Sequence, residues 1–407
     1  MRVLMVTNYF DSHRGGIELV ARRIFSDLAR PECHVTWAAA AATLAPGNSA
    51  YSTCVPLKSW NMLERVTGVP VPVPSVAAVR ELSQAIRAAD VILLHDCLYL
   101  SNILAFLIAR RYGVPVMVVQ HVGMVRHRNL LMRAAMSIGN TVFARRMLAS
   151  AQQAVFISET TQRYFASVRF RRPAVLIFNG VDSDMFHPAG QDAVRALRQQ
   201  FELPQDGVVA LFVGRFVEKK GLRVLHEMAL RTPEIQWAFA GSGPLDPRGW
   251  QLRNVRAFSS IRDGRLADLY RASDVLVLPS TGEGLPLVVQ EALASGLPVI
   301  CGSETATADP ELAHFVRGVT LSHTNDRLSA DACLVALREV LAKPRCAATA
   351  EERQKFARER YSWPAAIDSY FKIASLLVQE AEDRGRQQGT PTSPRSSQCK
   401  QASSGSR

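Results

Sequence analysis

The 407-residue sequence lacks the features that define several protein classes. It has seven cysteines, an odd number, widely spaced and with no CxxC pair. That argues against a disulfide framework or a cysteine-based zinc site, and for a reducing compartment. No stretch offers about 18 clean apolar residues, so no membrane-spanning helix is expected. The uncharged stretch 33–57 comes nearest, but Pro46, Gly47, Asn48 and Pro56 break it. The start, MRVLMVTNYFDSHRGG, has too short an apolar run for a signal peptide. No RNP-like run, zinc spacing or helix-turn-helix signature is present, which speaks against nucleic acid as a partner. Hydrophobic residues make up 48% of the chain and charged residues 21%, so it is neither largely disordered nor fibrous.

What is present is positive charge, a formal +12, and it is uneven. Residues 1–182 carry +10, residues 183–383 carry −3, and residues 384–407 carry +5. The tail is Ser, Gln, Thr, Pro, Gly and Arg without apolar periodicity and reads as disordered. The basic first half holds Arg110, Arg111, Arg126, Arg128, Arg133, Arg145 and Arg146. Such a cluster is either a solvated helix face or a dock for an anionic surface.

Short apolar runs alternate with helical patterns. Strands are expected at residues 2–7, 34–39, 91–95, 115–121, 154–158 and 175–179. Ile17, Val20, Ala21, Ile24 and Leu28 mark one helix face. The rhythm then restarts, with strands at 208–213, 236–240, 255–258, 274–279 and 297–301 and helices at 222–229, 265–272 and 287–295. Residues 351–382 read as helices interrupted near Trp363 and Pro364. Two βα series imply an α/β protein of two doubly wound parallel sheets. The expected parts are a domain at 1–180, a linker at 181–206 and a second domain at 207–363. A helix follows at 364–383, and 384–407 form the tail.

Ligands of such sheets bind beyond the carboxyl ends of the strands, so the chemistry is sought in the strand-to-helix loops. The first loop ends in Gly15-Gly16 just before a helix. Paired glycines let backbone N–H groups approach a phosphate, though a loop needing positive φ has the same signature. The loop after 208–213 reads GRFVEKKG. Arg215 and Lys220 there can clamp a diphosphate, or belong to a solvated charge cluster. AGSGPLDP resembles the start of GxGxxG, but Asp246 stands at the third glycine position. In PSTGEGLPLVVQEALASGLPVI, Glu283 lies in a loop and Glu291 inside the following helix, both suited to sugar or ribose hydroxyls. The plain alternative is a dipole-favoured acid and an exposed helix acid. His95-Asp96 and His121 end two strands at the same sheet edge.

Together these segments resemble the family 4 glycosyltransferases, retaining sugar transferases of the GT-B fold. The match runs through GGIE at 15–18, ISE at 157–159, NGVD at 179–182, VGRFVEKKG at 213–221, GSGP at 241–244 and EGLPLVVQEALASGLPVI at 283–300. Order and spacing agree over about residues 1–375. The resemblance implies two Rossmann-like domains facing a cleft, the first for an acceptor and the second for a nucleotide-sugar. By the same resemblance, Arg215 and Lys220 hold the donor diphosphate, aided by the N–H groups of Gly15 and Gly16. Gly243 lies in the donor loop, Glu291 takes ribose hydroxyls, Glu283 holds the transferred sugar, and His121 stands near the reacting centre. Glu283 and His121 are the expected catalytic pair. No metal and no cofactor are implied. After Ile300 the chain departs from the family pattern with CGSETATADPEL.

The expected activity is retaining hexosyl transfer from a UDP- or GDP-linked sugar to a lipid-linked or saccharide acceptor, in cell-surface polysaccharide, lipopolysaccharide or glycolipid synthesis. The expected location is the cytoplasm, peripheral on the inner face of the membrane. The alternatives are a GT-B epimerase or phosphorylase and, from charge alone, a nucleic-acid-binding protein. An NAD-dependent oxidoreductase fits the βα rhythm, but the first loop lacks GxGxxG.

Overall fold

The structure is a computed structural model, and it describes residues 1–13, 15–60, 72–123, 137–322, 324–342 and 347–387. β1 (Arg2–Tyr9) shows why the first series forms a covered sheet. Val3 and Met5 enter the core on one face, and Leu4 and Val6 the core on the other. A strand buried on both faces needs apolar residues on both, and Val3–Val6 supply them.

The strands that follow are β2 (His34–Ala40), β3 (Ser52–Leu57), β4 (Ser59–Trp60), β5 (Val73–Pro74), β6 (Val91–His95), β7 (Val116–Gln120), β8 (Gln153–Phe156) and β9 (Val175–Leu176). Among the described residues the main sheet is parallel, in the order β3-β2-β1-β6-β7-β8-β9, while β4 and β5 form a separate antiparallel pair. The second sheet holds β10 (Val209–Val213), β11 (Gln236–Ala240), β12 (Val255–Phe258), β13 (Val275–Leu278), β14 (Val299–Gly302) and β15 (Val316–Val319). Its order is β12-β11-β10-β13-β14-β15, again parallel. Each order reverses beside its first strand, between β1 and β6 and between β10 and β13. Such reversals open the crevices in which doubly wound sheets bind ligands.

Two strands of the parallel sheets escaped the sequence reading, as did the short pair β4 and β5. Ser52–Leu57 lies in the stretch taken as broken by proline and glycine. It is the sheet edge, where Pro56 has a free side and removes no ladder bond that a neighbour needs. Val316–Val319 is the other sheet's edge, and its Arg317-Gly318 centre hides the apolar pattern.

The chain crosses between the sheets twice, and the crossings touch. Val181 N–H donates to Tyr361 O at 2.9 Å, and Val181 bridges Ser362 in parallel. A Cβ on Gly180 would meet the Trp363 ring at 2.4 Å, so only glycine lets the two segments approach. The final helix, Trp363–Gln387, then lays Trp363, Ile367, Tyr370, Ala374 and Leu377 on the first sheet. Pro364 is in its first turn, where the missing N–H has no intrahelical partner to lose. The helix runs to Gln387, so residues 384–387 are helical rather than part of a disordered tail. Charged pairs such as Arg386 with Glu382 and Asp383 continue it past the apolar face. The rest of the expected tail, 388–407, lies outside the described residues.

Direct contacts also join the two sheets near their carboxyl edges. Glu159 N–H donates to Ala308 O at 2.8 Å, Thr160 Oγ1 to Glu304 O at 3.0 Å, and Arg163 Nη2 to Thr307 O at 2.6 Å. The segment after β14, where the sequence departs from the family pattern, is thus the part that docks on the short helix Glu159–Tyr164.

Candidate active site

Each sequence-derived candidate follows a strand end. β1 ends at Tyr9, and the helix Gly16–Leu28 starts from Gly15 without a side-chain cap. Glu18 supplies what the cap lacks. A Cβ on Gly15 would lie 1.9 Å from Glu18 Oε2, so the carboxylate folds back across that glycine. Glu18 is only 5% exposed, and burial pushes its carboxyl up to about 7, against its own backbone amide and the Arg215 charge. His13 Nδ1 lies 4.0 Å from it. Gly16, by contrast, faces open space.

Arg215 belongs to the second sheet, yet its charge acts on Glu18 and on buried Tyr99 of the first. The two strand-end loops therefore face each other. Arg215 is exposed and has no hydrogen-bond or ion-pair partner among the described residues. Two glycines hold its loop. Gly241 approaches Gly214 O so closely that a Cβ would stand 2.0 Å away, and a Cβ on Gly243 would stand 2.6 Å from Phe216 O. Phe216 N–H donates to Ser242 O at 2.8 Å. Gly243 thus shapes the Arg215 loop from beneath.

Lys220 ends the short turn Glu218–Lys220, and Gly221 follows in the left-handed region at φ 78°. Thr281 N–H donates to Lys219 O at 3.0 Å, which fixes the Glu283 loop against this turn. Lys220 Nζ stands 3.1 Å from Glu283 Oε1 and Lys219 Nζ 3.4 Å from the same oxygen. Burial alone would raise the Glu283 carboxyl, but the two lysine charges outweigh it and hold it below its usual range. Burial in turn lowers Lys220, against the pull of Glu283. Glu291 lies within the helix Leu287–Ala294, where it accepts from Tyr270 Oη at 2.8 Å. Burial pushes it up to about 7, and the tyrosine bond only partly offsets this.

On the first sheet, His121 follows β7 and is 3% exposed. Its Nε2 lies 2.9 Å from His95 Nδ1. Across the cleft, a Cβ on Gly284 would sit 3.0 Å from His121 O and 3.1 Å from Ser158 Oγ. The Glu283–Gly284 loop therefore touches the His121 strand end. Across the cleft, then, the Arg215 charge reaches Glu18 and Gly284 approaches His121, while Lys220, Glu283 and Glu291 stand on the second-domain side.

Sequence reasoning missed the partners. Glu18 was legible only as the last letter of GGIE, although an acid in the third helical position of an uncapped helix is a capping signal. Lys219 and Tyr270 carried no separable signal. Arg126, Arg128 and Arg133 lie outside the described residues. Among those residues, no helix is long and apolar enough to cross a membrane, and no cluster of three or more His, Cys, Asp or Glu could hold a metal ion.

Two parallel-sheet domains with facing carboxyl edges define the GT-B architecture of glycosyltransferases. The glycosyl transferases group 1 model matches residues 194–363, and the glycosyltransferase family 4 model matches residues 14–185. The chain belongs to this family of glycosyltransferases. It is 32% identical over 260 residues to D-inositol 3-phosphate glycosyltransferase 2 of Catenulispora acidiphila, covering 56% of this chain and 59% of that protein. The match therefore spans little more than half the length of that curated relative. Among solved structures, sucrose-phosphate synthase from Thermosynechococcus elongatus is similar with a TM-score of 0.70 and 18% identity, over 93% of this chain and 100% of that one. Anabaena Alr3699/HepE, solved in complex with UDP-glucose, gives 0.65 and 16%, over 92% and 99%. These two likenesses concern the fold.

Proposed function

We propose that the protein is a retaining glycosyltransferase that moves a hexose from a nucleotide-sugar to a saccharide or lipid-linked acceptor. One observation carries this reading. A guanidinium with no partner among the described residues, whose charge reaches Glu18 at the glycine-rich helix start of the other sheet, shares its own sheet with a lysine–carboxylate pair and a second carboxylate. That is the set of charges a nucleoside diphosphate bearing a sugar requires: cations and N–H groups for phosphate, acceptors for hydroxyls.

Arg215 offers a fork to the diphosphate and Lys220 a point charge. Glu291 takes the ribose hydroxyls with its orientation set by Tyr270. Glu283, kept ionised by Lys219 and Lys220, accepts from hydroxyls of the sugar. In the transfer, the acceptor oxygen bonds to the anomeric carbon on the face from which the diphosphate leaves. The carbon–phosphate-oxygen bond breaks, and the acceptor proton passes to the departing phosphate. No side-chain base and no metal cofactor form part of the reading. UDP is favoured over GDP as the carrier by the likeness to the Anabaena protein, which was solved with UDP-glucose.

The charge bears on the acceptor. The excess lies on the domain assigned to it, and the Catenulispora relative is named for a phosphorylated acceptor, so an anionic acceptor fits. A peripheral site on anionic membrane is supported by exposed Ile138 and Phe143 beside Arg145 and Arg146. The test is a panel of nucleotide-sugars scored by thermal shift, followed by product analysis with phosphorylated and neutral acceptors and EDTA present. A sugar donor that stabilises the fold and is turned over supports the reading. No stabilisation by any nucleotide-sugar overturns it. Flotation on anionic against neutral vesicles decides the membrane part.

A further inference from the structure

His95 plays no part in the transfer described above, yet it is fully buried against the one residue of the first sheet placed near the reacting sugar. His95 and His121 end the neighbouring strands β6 and β7, and their rings stack at 5.2 Å between centroids. The 2.9 Å contact between His95 Nδ1 and His121 Nε2 is a hydrogen bond between two sealed imidazoles. Burial keeps both neutral. It lowers His95 far below its ordinary value, with His121 adding to the effect, and takes His121 to about 3. Between two neutral rings, one nitrogen must donate and the other accept.

The direction follows from the other side of the His95 ring. His95 Nε2 is buried and has no hydrogen-bond partner among the described residues. Were His121 the donor, His95 would carry its proton on Nε2, leaving a buried N–H with nothing to accept it. Orphaned buried N–H groups are rarer than under-satisfied acceptors. The proton of His95 therefore resides on Nδ1 and is donated to His121 Nε2. The single proton of His121 must then sit on its Nδ1.

The nearest carboxylate does not compete for this role. Asp96 Oδ1 accepts from Cys97 N–H at 2.7 Å and from Gln120 Nε2 at 3.0 Å. Asn102 Nδ2 holds the His95 and Asp96 carbonyls at 2.6 and 2.8 Å, which fixes the backbone beneath the pair.

We infer that His95 is a positioning residue that locks His121 in the Nδ1–H tautomer, so that His121 offers the cleft an N–H donor and not a base. This rests on the glycosyl-transfer reading only for its consequence. A donor there can bond a sugar hydroxyl or the departing oxygen, while the acceptor's proton goes to phosphate.

The test uses the full chain with ¹⁵N-labelled histidine and long-range imidazole spectra, His121 being assigned with His121→Gln. Free histidine prefers its proton on Nε2, so the locked tautomer is distinctive. His95→Asn places an amide N–H where Nδ1–H stood, and His95→Asp places an acceptor there instead. The expected result is a His121 protonated on Nδ1 with Nε2 bare in the wild type and in His95→Asn. In His95→Asp the carboxylate draws a proton to Nε2, and kcat falls on the order of tenfold or more while donor KM holds. A wild-type His121 protonated on Nε2 overturns the inference, and that measurement needs no variant to fold. So does a His95→Asp protein whose His121 keeps Nε2 bare. A locked tautomer in a protein that turns over no nucleotide-sugar upholds the assignment and counts against the glycosyl-transfer reading alone.

Discussion

Lys220 Nζ lies 3.1 Å from Glu283 Oε1, so the cation assigned to the diphosphate and the carboxylate assigned to the sugar are bonded to each other. Both side chains are largely but not fully buried, and a charge in that setting is favoured by pairing. Lys219 at 3.4 Å gives the carboxylate a second partner. The pair thus links the phosphate end of the proposed donor to its sugar end through one oxygen.

Replacing Lys220 by Ala leaves Glu283 with Lys219, so the fold should hold. What is lost is charge at the diphosphate as it departs. Removing one such contact typically lowers kcat by roughly 10²–10³-fold. Steady-state transfer and a thermal melt on the same protein check both halves. Near-normal transfer by folded Lys220→Ala refutes the assignment.

Arg215 makes the complementary case. It is exposed and unpartnered among the described residues, so Arg215→Ala should melt within a degree or two of the wild type. Donor turnover should still fall by about 10²-fold. Arg215→Lys restores the charge but not the fork, and should recover only part of the loss. Equal kinetics for the Lys variant and the wild type would show that bidentate geometry is not used.

Glu291 separates stability from function. Burial pushes its carboxyl up to about 7 in the folded protein, against 4.5 for a free glutamate side chain. Below pH 4.5 it is protonated in both states and costs nothing. From 4.5 to 7 the unfolded chain ionises first, so stability falls with rising pH, and above 7 the cost levels near about 3 kcal/mol. Glu291→Gln keeps an acceptor for Tyr270 and removes the titration. It should melt above the wild type at pH 8, with the gap closing toward pH 4.5, while donor binding weakens. Glu18 titrates in the same window but is present in both proteins, so the comparison isolates Glu291. A variant less stable than the wild type at pH 8 contradicts the argument.

Much of this was legible because parallel strands must be apolar on both faces. Val91–His95 and Gln236–Ala240 stand where the sequence placed them. Edges were harder: at β3 and β15 one side needs no partner, so proline, arginine and glycine are admitted and the pattern is lost. At the site, loop residues such as Arg215 and Glu283 could be found because the fold dictates where to look. Their partners could not. That Lys220 meets Glu283, or His95 meets His121, depends on loops and strands brought together by the sheets. No spacing along the chain encodes it.

Two glycines of the site should respond in opposite ways to the same substitution. Gly221 has φ 78°, and a Cβ there would lie 2.3 Å from Pro279 O, a backbone atom directly after β13. Left-handed strain and a backbone clash add, so Gly221→Ala should cost roughly 2–4 kcal/mol and lower Tm by several degrees. Gly15 has φ −79°, and its Cβ would meet only the end of Glu18, at 1.9 Å. A flexible side chain can swing away, so Gly15→Ala should cost less than about 1 kcal/mol. It nonetheless puts a methyl group where the donor phosphate must approach and drives Glu18 from the helix start. Donor KM should therefore rise while Tm barely moves, the reverse of a folding defect. Thermal melts and donor titrations on the two variants measure this directly, and a Gly15→Ala protein with unchanged donor KM would remove this helix start from the phosphate site.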